Sequence, residues 1–136
     1  MMKKSILATE EEKGKMQIQD LSYDFANRII RIYEYLTKES EYKEKVLSLQ
    51  LLRSGTSIGA NVNEAQHAQS DKDFLSKLSI ALKEARETEY WLRLLRDNGY
   101  IDSTQAESLI YDCVRINKIL IVIVRKISDK LQSNNK

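Results

Sequence analysis

Apolar residues recur along this chain at spacings of three and four from Leu21 to Leu131, with polar residues between them. That period keeps one face of an α-helix out of water, and it predicts four amphipathic helices. In the first, Leu21, Phe25, Ile29, Ile32 and Leu36 share a stripe; Asp20 is placed to cap its start and the polar stretch Thr37 to Lys43 to end it. The second, about Glu44 to Gln69, carries Leu47, Leu51, Ile58, Val62 and Ala65, with Ser54 and Gly55 filling the turn between. Ser70-Asp71-Lys72-Asp73 has the form of a capping box, with Asp in place of Glu, and opens the third helix. There Phe74, Leu78, Ala81, Ala85, Thr88, Leu92 and Leu95 alternate by four and three, the spacing of a heptad seam. Asp97-Asn98-Gly99 stops it, Gly99 being suited to a left-handed position after a helix. Asp102 with Gln105 starts the fourth, whose seam is Ala106, Leu109, Cys113, Ile116, Leu120, Val124, Ile127 and Leu131.

Short links between the last three segments predict an all-α, antiparallel up-and-down four-helix bundle over residues 19–132. Residues 1–18 read as a polar leader, mobile or a frayed helical extension, and 133–136 as a polar tail. Composition agrees: 136 residues suit one domain, proline is absent, and glycine occurs only at 14, 55, 59 and 99. A lone cysteine, Cys113, rules out an intrachain disulfide and fits a reducing cytoplasm. The longest apolar run, Ile119 to Val124, is six residues, far short of the roughly 20 a membrane span needs. No apolar stretch of signal-peptide type follows Lys3-Lys4, so a cytoplasmic location is expected.

That short run is apolar on every side of its helix, whereas a surface helix needs one stripe. With Ile80 and Trp91 it forms a candidate oligomer interface made of Ile80, Trp91, Ile121 and Val122. The alternative is that flanking helices cover these side chains.

Catalytic chemistry finds little support. Glu64-Ala65-Gln66-His67 has the Glu-x-x-His spacing of a di-iron bundle once, but His67 is the only histidine, so the second half cannot exist within one chain. No nucleophile–base set, glycine-rich phosphate loop or cysteine–histidine cluster occurs, and neither an enzyme activity, a metal nor a cofactor is expected. Cations are better placed. Lys83, Arg86, Tyr90 and Arg93 fall on one stripe of the third helix, and Arg115, Lys118 and Arg125 have related spacing on the fourth, with Lys126 and Lys130 beside them and Arg28 and Arg31 on the first. Such residues contact phosphates and stack on bases of RNA or single-stranded DNA. In the competing reading Glu84, Glu87, Glu89 and Asp97 neutralise them as i,i+4 pairs.

The least generic stretch is Leu51 to Ala65, where two glycines and several small polar residues interrupt a long helix. Gly55 and Gly59 share a face on which another backbone can approach, and Ser54, Ser57, Asn61 and Glu64 form a polar stripe beside the apolar one. The stripe reads either as a hydrogen-bonded seam that fixes helix register or as a ligand-facing groove.

The run Leu52-Arg53-Ser54-Gly55-Thr56-Ser57-Ile58-Gly59-Ala60-Asn61-Val62-Asn63-Glu64-Ala65, followed by Ser70-Asp71-Lys72-Asp73-Phe74, resembles the four-helix-bundle family encoded by 23S rRNA intervening sequences. Ile80-Ala81, Glu84, Glu87, Trp91-Leu92, Leu95 and Gly99-Tyr100-Ile101 continue the likeness, which spans about residues 21–125. It implies an antiparallel bundle that assembles as a homopentamer, with Arg53, Ser54, Gly55, Ser57, Gly59, Asn61 and Glu64 as the packing motif. The chain is also similar to the accessory bundle protein of diversity-generating retroelements, a pentamer that binds nucleic acid and partners a reverse transcriptase. Two departures lower the basic character: Leu52 stands where many members carry a further arginine, and Ala65 and Gln69 stand where many carry glycine and arginine. The expectation is a non-enzymatic homo-oligomer that binds nucleic acid through repeated basic surfaces; the alternative is a protein-binding scaffold.

Overall fold

The computed structural model describes residues 10–134; residues 1–9 of the expected leader and 135–136 of the tail lie outside them. Four α-helices form: α1 Glu10–Glu34, α2 Val46–Ala65, α3 Asp71–Asp97 and α4 Ser103–Asn134. Each packs on the next and α4 returns to α1, the cyclic order of an up-and-down bundle, with the α1–α4 contact the thinnest.

Helix α1 does not wait for Asp20; the described residues are already helical at Glu10, and the helix runs through Asp20. Ile18 explains the difference, because it is 1% exposed and so ties the turn before Asp20 into the core. At the other end the helix does not stop at Thr37 but widens into a π-helical turn, Tyr35–Glu39. The Thr37 hydroxyl donates to Tyr33 O, and the Ser40 N–H reaches back five residues to Tyr35 O at 2.7 Å. Lys43 then takes a positive φ of 47° to turn the chain.

Glu44 starts α2 as a side-chain cap rather than as a helical residue. Its carboxylate accepts the N–H groups of Val46, Leu47 and Ser48 and the Ser48 hydroxyl at 2.8–3.1 Å. Burial pushes this carboxyl up, but the hydrogen bonds from Leu47, Ser48 and Val46 outweigh it and hold the group below its ordinary value. The helix ends at Ala65, four residues before the expected Gln69, in a turn where Gln66, His67 and Ala68 each donate to the carbonyl three residues back.

The remaining caps follow the expected chemistry. Ser70 Oγ accepts the Asp73 N–H at 3.0 Å, and the Asp73 carboxylate takes the N–H of Gln69 instead of Ser70. Gly99 has φ +81°, while Gly99 and Tyr100 donate to Arg96 O and Leu95 O in a Schellman motif. Asp102 Oδ1 accepts the Gln105 N–H at 3.0 Å to open α4.

Every seam residue expected on α3 is buried. On α4 two positions differ: Leu131 is not buried, and Ile123, not Val124, continues the buried series Ala106, Leu109, Cys113, Ile116, Leu120 and Ile127. That series alternates by three and four without a break, the phase a heptad seam demands. Val124 and Leu131 pack at its edge, half covered.

The two glycines of α2 set the α1–α2 spacing. A Cβ on Gly55 would lie 2.8 Å from Ile29 Cγ1 and Cγ2, and one on Gly59 would lie 3.2 Å from Ser22 O. On the other side of α2, Ser54 Oγ and Thr88 Oγ1 hydrogen-bond at 2.9 Å inside the core, fixing α2 against α3. Cys113 Sγ donates to Ala85 O at 3.1 Å and does the same between α4 and α3.

Candidate nucleic-acid interface

Helical spacing turns the candidate cations outward. The seams face inward, so Lys83, Arg86, Tyr90 and Arg93 on α3, and Arg115, Lys118 and Arg125 on α4, are all exposed, Tyr90 at 57%. Neutralisation is confined to one of them: Arg93 pairs with Glu89 at 2.7 Å across one turn. Asp97 is held by its neighbour Arg96 at 2.9 Å, and Glu87 accepts the Trp91 indole N–H at 3.3 Å. Among the described residues Lys83, Arg86, Arg115, Lys118 and Arg125 make no ion pair. Burial, and then the charge of Glu87, raise the Glu84 carboxyl above its ordinary value, against the pull of Lys83.

The cations beside the main stripes have other fates. Arg28 ties α1 to α4 through Asp112 at 2.6 Å and the Ser108 hydroxyl at 3.0 Å. Lys130 reaches Asp71 at 3.0 Å, while Arg31 and Lys126 are exposed.

One residue of this face escapes a reading by apolar period. Tyr111 is 70% exposed and begins the α4 series Tyr111, Lys118, Arg125 at intervals of seven, with Arg115 one turn after it. The signal was in the sequence: an aromatic ring in phase with the cations rather than with the seam.

The small-residue motif of α2 divides between core and surface. Ser54 and Gly55 are buried, Ser57, Gly59 and Asn61 are half-buried, and Arg53 and Glu64 are exposed. Asn61 Nδ2 donates to Ser57 O at 2.9 Å, so the stripe satisfies part of itself within its own helix. A cavity of about 400 Å³ lies between α1 and α2, lined by Gln19, Ser22, Tyr23, Ala26, Thr56, Gly59, Ala60, Val62 and Asn63, none of them charged. The four candidate interface residues fall on different faces. Ile80, 40% exposed, and half-buried Trp91 lie on the flank of α3 toward α2, half-buried Ile121 lies on the flank of α4 toward α3, and Val122, 53% exposed, points outward.

Groups that could do covalent chemistry are scattered or quenched. Cys113 is buried, and burial followed by the charge of Glu89 pushes its thiol up to about 12. His67 is exposed, and among the described residues no three His, Cys, Asp or Glu side chains gather to hold a metal. No helix among them is long and apolar enough to cross a membrane.

Fold and surface together define an all-α four-helix bundle with cations displayed along α3 and α4. The chain belongs to the 23S rRNA-intervening sequence protein family, whose model matches residues 14–122. It is similar to a crystal structure, at 1.70 Å, of a protein of unknown function from the S23 ribosomal protein family of Bacteroides thetaiotaomicron. The two are 53% identical, superpose with a TM-score of 0.79, and align over 82% of this chain and 98% of the other. Among curated proteins, none matches.

Proposed function

We propose that this protein is a non-catalytic, cofactor-free, cytoplasmic homo-oligomer, a pentamer as the family resemblance implies, that binds RNA or single-stranded DNA. One observation carries the reading: five exposed cations on the neighbouring helices α3 and α4 that make no salt bridge among the described residues. Unpaired cations on one face lower the free energy of a polyanion by releasing its counterions, without demanding a sequence. A single copy offers a weak site of this kind, and a symmetric oligomer repeats it, so that avidity converts weak contacts into useful affinity.

Light scattering reads the assembly directly: a mass several times that of the chain is expected, and a monomer at micromolar concentration removes the avidity argument. Binding to a labelled RNA weakens steeply with salt. Lys83→Glu, Arg86→Glu and Arg93→Glu together lower the affinity and reduce the slope of log affinity against log salt by about two, at roughly 0.7 per phosphate contact. Affinity unchanged by that triple variant rejects the surface.

A second reading rests on exposed Ile80 and Val122. Large apolar side chains outside the core suit a scaffold that docks a protein partner, and such a partner would be captured without any salt dependence of this size.

A further inference from the structure

Cations on a convex surface attract any polyanion, but the register of α3 against α4 orders these ones. Cys113 Sγ lies 3.1 Å from Ala85 O and Lys130 Nζ 3.0 Å from Asp71 Oδ2, a register that places Tyr90 within about one turn of Tyr111 on the antiparallel neighbour. Each ring heads a row of cations. On α3, Arg86 and Lys83 precede Tyr90 by one and two turns; on α4, Arg115, Lys118 and Arg125 follow Tyr111. Because the helices are antiparallel, both rows run from the rings toward the same end of the bundle.

Resting on the nucleic-acid reading above, we infer that the ligand is one unpaired strand lying along the α3–α4 face, with bases stacked on Tyr90 and Tyr111 and phosphates on the two cation rows. The rings decide against a duplex. A tyrosine exposed at 57% or 70% and held beside a helix surface can stack only on a base whose face is free, and pairing hides the faces of all but terminal bases. Cations without rings would carry no such preference. From Tyr111 to Arg125 the α4 row is about 21 Å long at 1.5 Å per residue, room for on the order of six stacked nucleotides at ~3.4 Å each.

Fluorescence anisotropy on the full chain tests this with three probes at one low ionic strength: a single-stranded RNA about twice that length, the DNA of the same sequence, and the RNA duplex. Both single strands are expected to bind at least about tenfold tighter than the duplex, and the double variant Tyr90→Ala, Tyr111→Ala to lose about tenfold or more on single strands alone. Tyr90→Phe with Tyr111→Phe keeps the rings and is expected to keep the affinity. Both tyrosines lie outside the core, and Tyr90 meets Trp91 edge-on at 5.2 Å between ring centroids, so thermal melting of the phenylalanine variant should match the parent and that of the alanine variant should fall only slightly. A duplex bound as tightly as the single strands, or an alanine variant that binds like the parent, overturns the stacked-strand inference while the cation surface stands on the Lys83, Arg86 and Arg93 variant. Absence of binding to all three probes removes both.

Discussion

Asn117 is the one polar side chain among the described residues that the bundle buries without meeting its needs. It is 8% exposed, follows the seam residue Ile116 on α4, and its Oδ1 has no hydrogen-bond donor. A buried acceptor left alone costs about 1–3 kcal/mol, because the water it gave up is not replaced. Ser54 and Thr88 show the opposite arrangement, two hydroxyls buried together and bonded to each other. Asn117→Leu, similar in shape and free of the orphan oxygen, is therefore expected to raise stability by about 1–2 kcal/mol. The midpoint of urea unfolding measures it. A lowered midpoint would mean that the folded protein supplies a donor to this oxygen, a neighbouring copy being the obvious source.

At the scale of elements, helix ends and helix spacing depend on single groups. Glu44 alone satisfies three N–H groups of α2, so Glu44→Ala is expected to cost about 1 kcal/mol at neutral pH, the typical value of an N-terminal cap. The folded carboxyl lies below its ordinary value, so its contribution is present above the unfolded pKa and is lost as pH falls through the folded one. Parent and variant should accordingly converge in acid; a gap that stays constant from neutral pH into acid rejects the cap. Spacing is decided at Gly55. A methyl group there meets the β-branched side chain of Ile29 at 2.8 Å, and overpacking of this kind costs about 1–3 kcal/mol, more than the ~1 kcal/mol that alanine returns in helix propensity. Gly55→Ala should destabilise by up to about 2 kcal/mol, whereas Gly59→Ala, at 3.2 Å from Ser22 O beside an open cavity, should be close to neutral. Equal losses in urea melts would deny that Ile29 sets the approach of α1. These are the features apolar period reads worst. It finds the heptads of α3 and α4 and misplaces Ile123 by one residue, but a glutamate outside a helix gives no sign that it will cap it, and Thr37 none that its hydroxyl will open a π-helical turn.

For the molecule as a whole, the inward residues were legible because burial imposes a period, and the outward ones only in part because water imposes none. Lys83, Arg86 and Arg93 could be placed on one stripe of α3 from spacing, yet which of them an acid would neutralise depended on rotamers, and only Arg93 is paired. Tyr111 belongs to the same face and lies out of phase with the seam. The inward residues also supply a probe of the intact fold. Cys113 is the only thiol, it is fully buried between α3 and α4, and its raised pKa of about 12 leaves almost no thiolate at neutral pH. A thiol reagent can reach it only when α4 parts from α3, and the seam from Ala106 to Ile127 makes that opening a large fraction of global unfolding. Labelling in native buffer should therefore be slower than that of the unfolded chain by orders of magnitude, and should accelerate with urea in step with the loss of helical circular dichroism. Fast labelling without denaturant, with helicity intact, would show that α4 parts from α3 without global unfolding, and would locate the weakness of the bundle at the seam around Cys113 and Ala85.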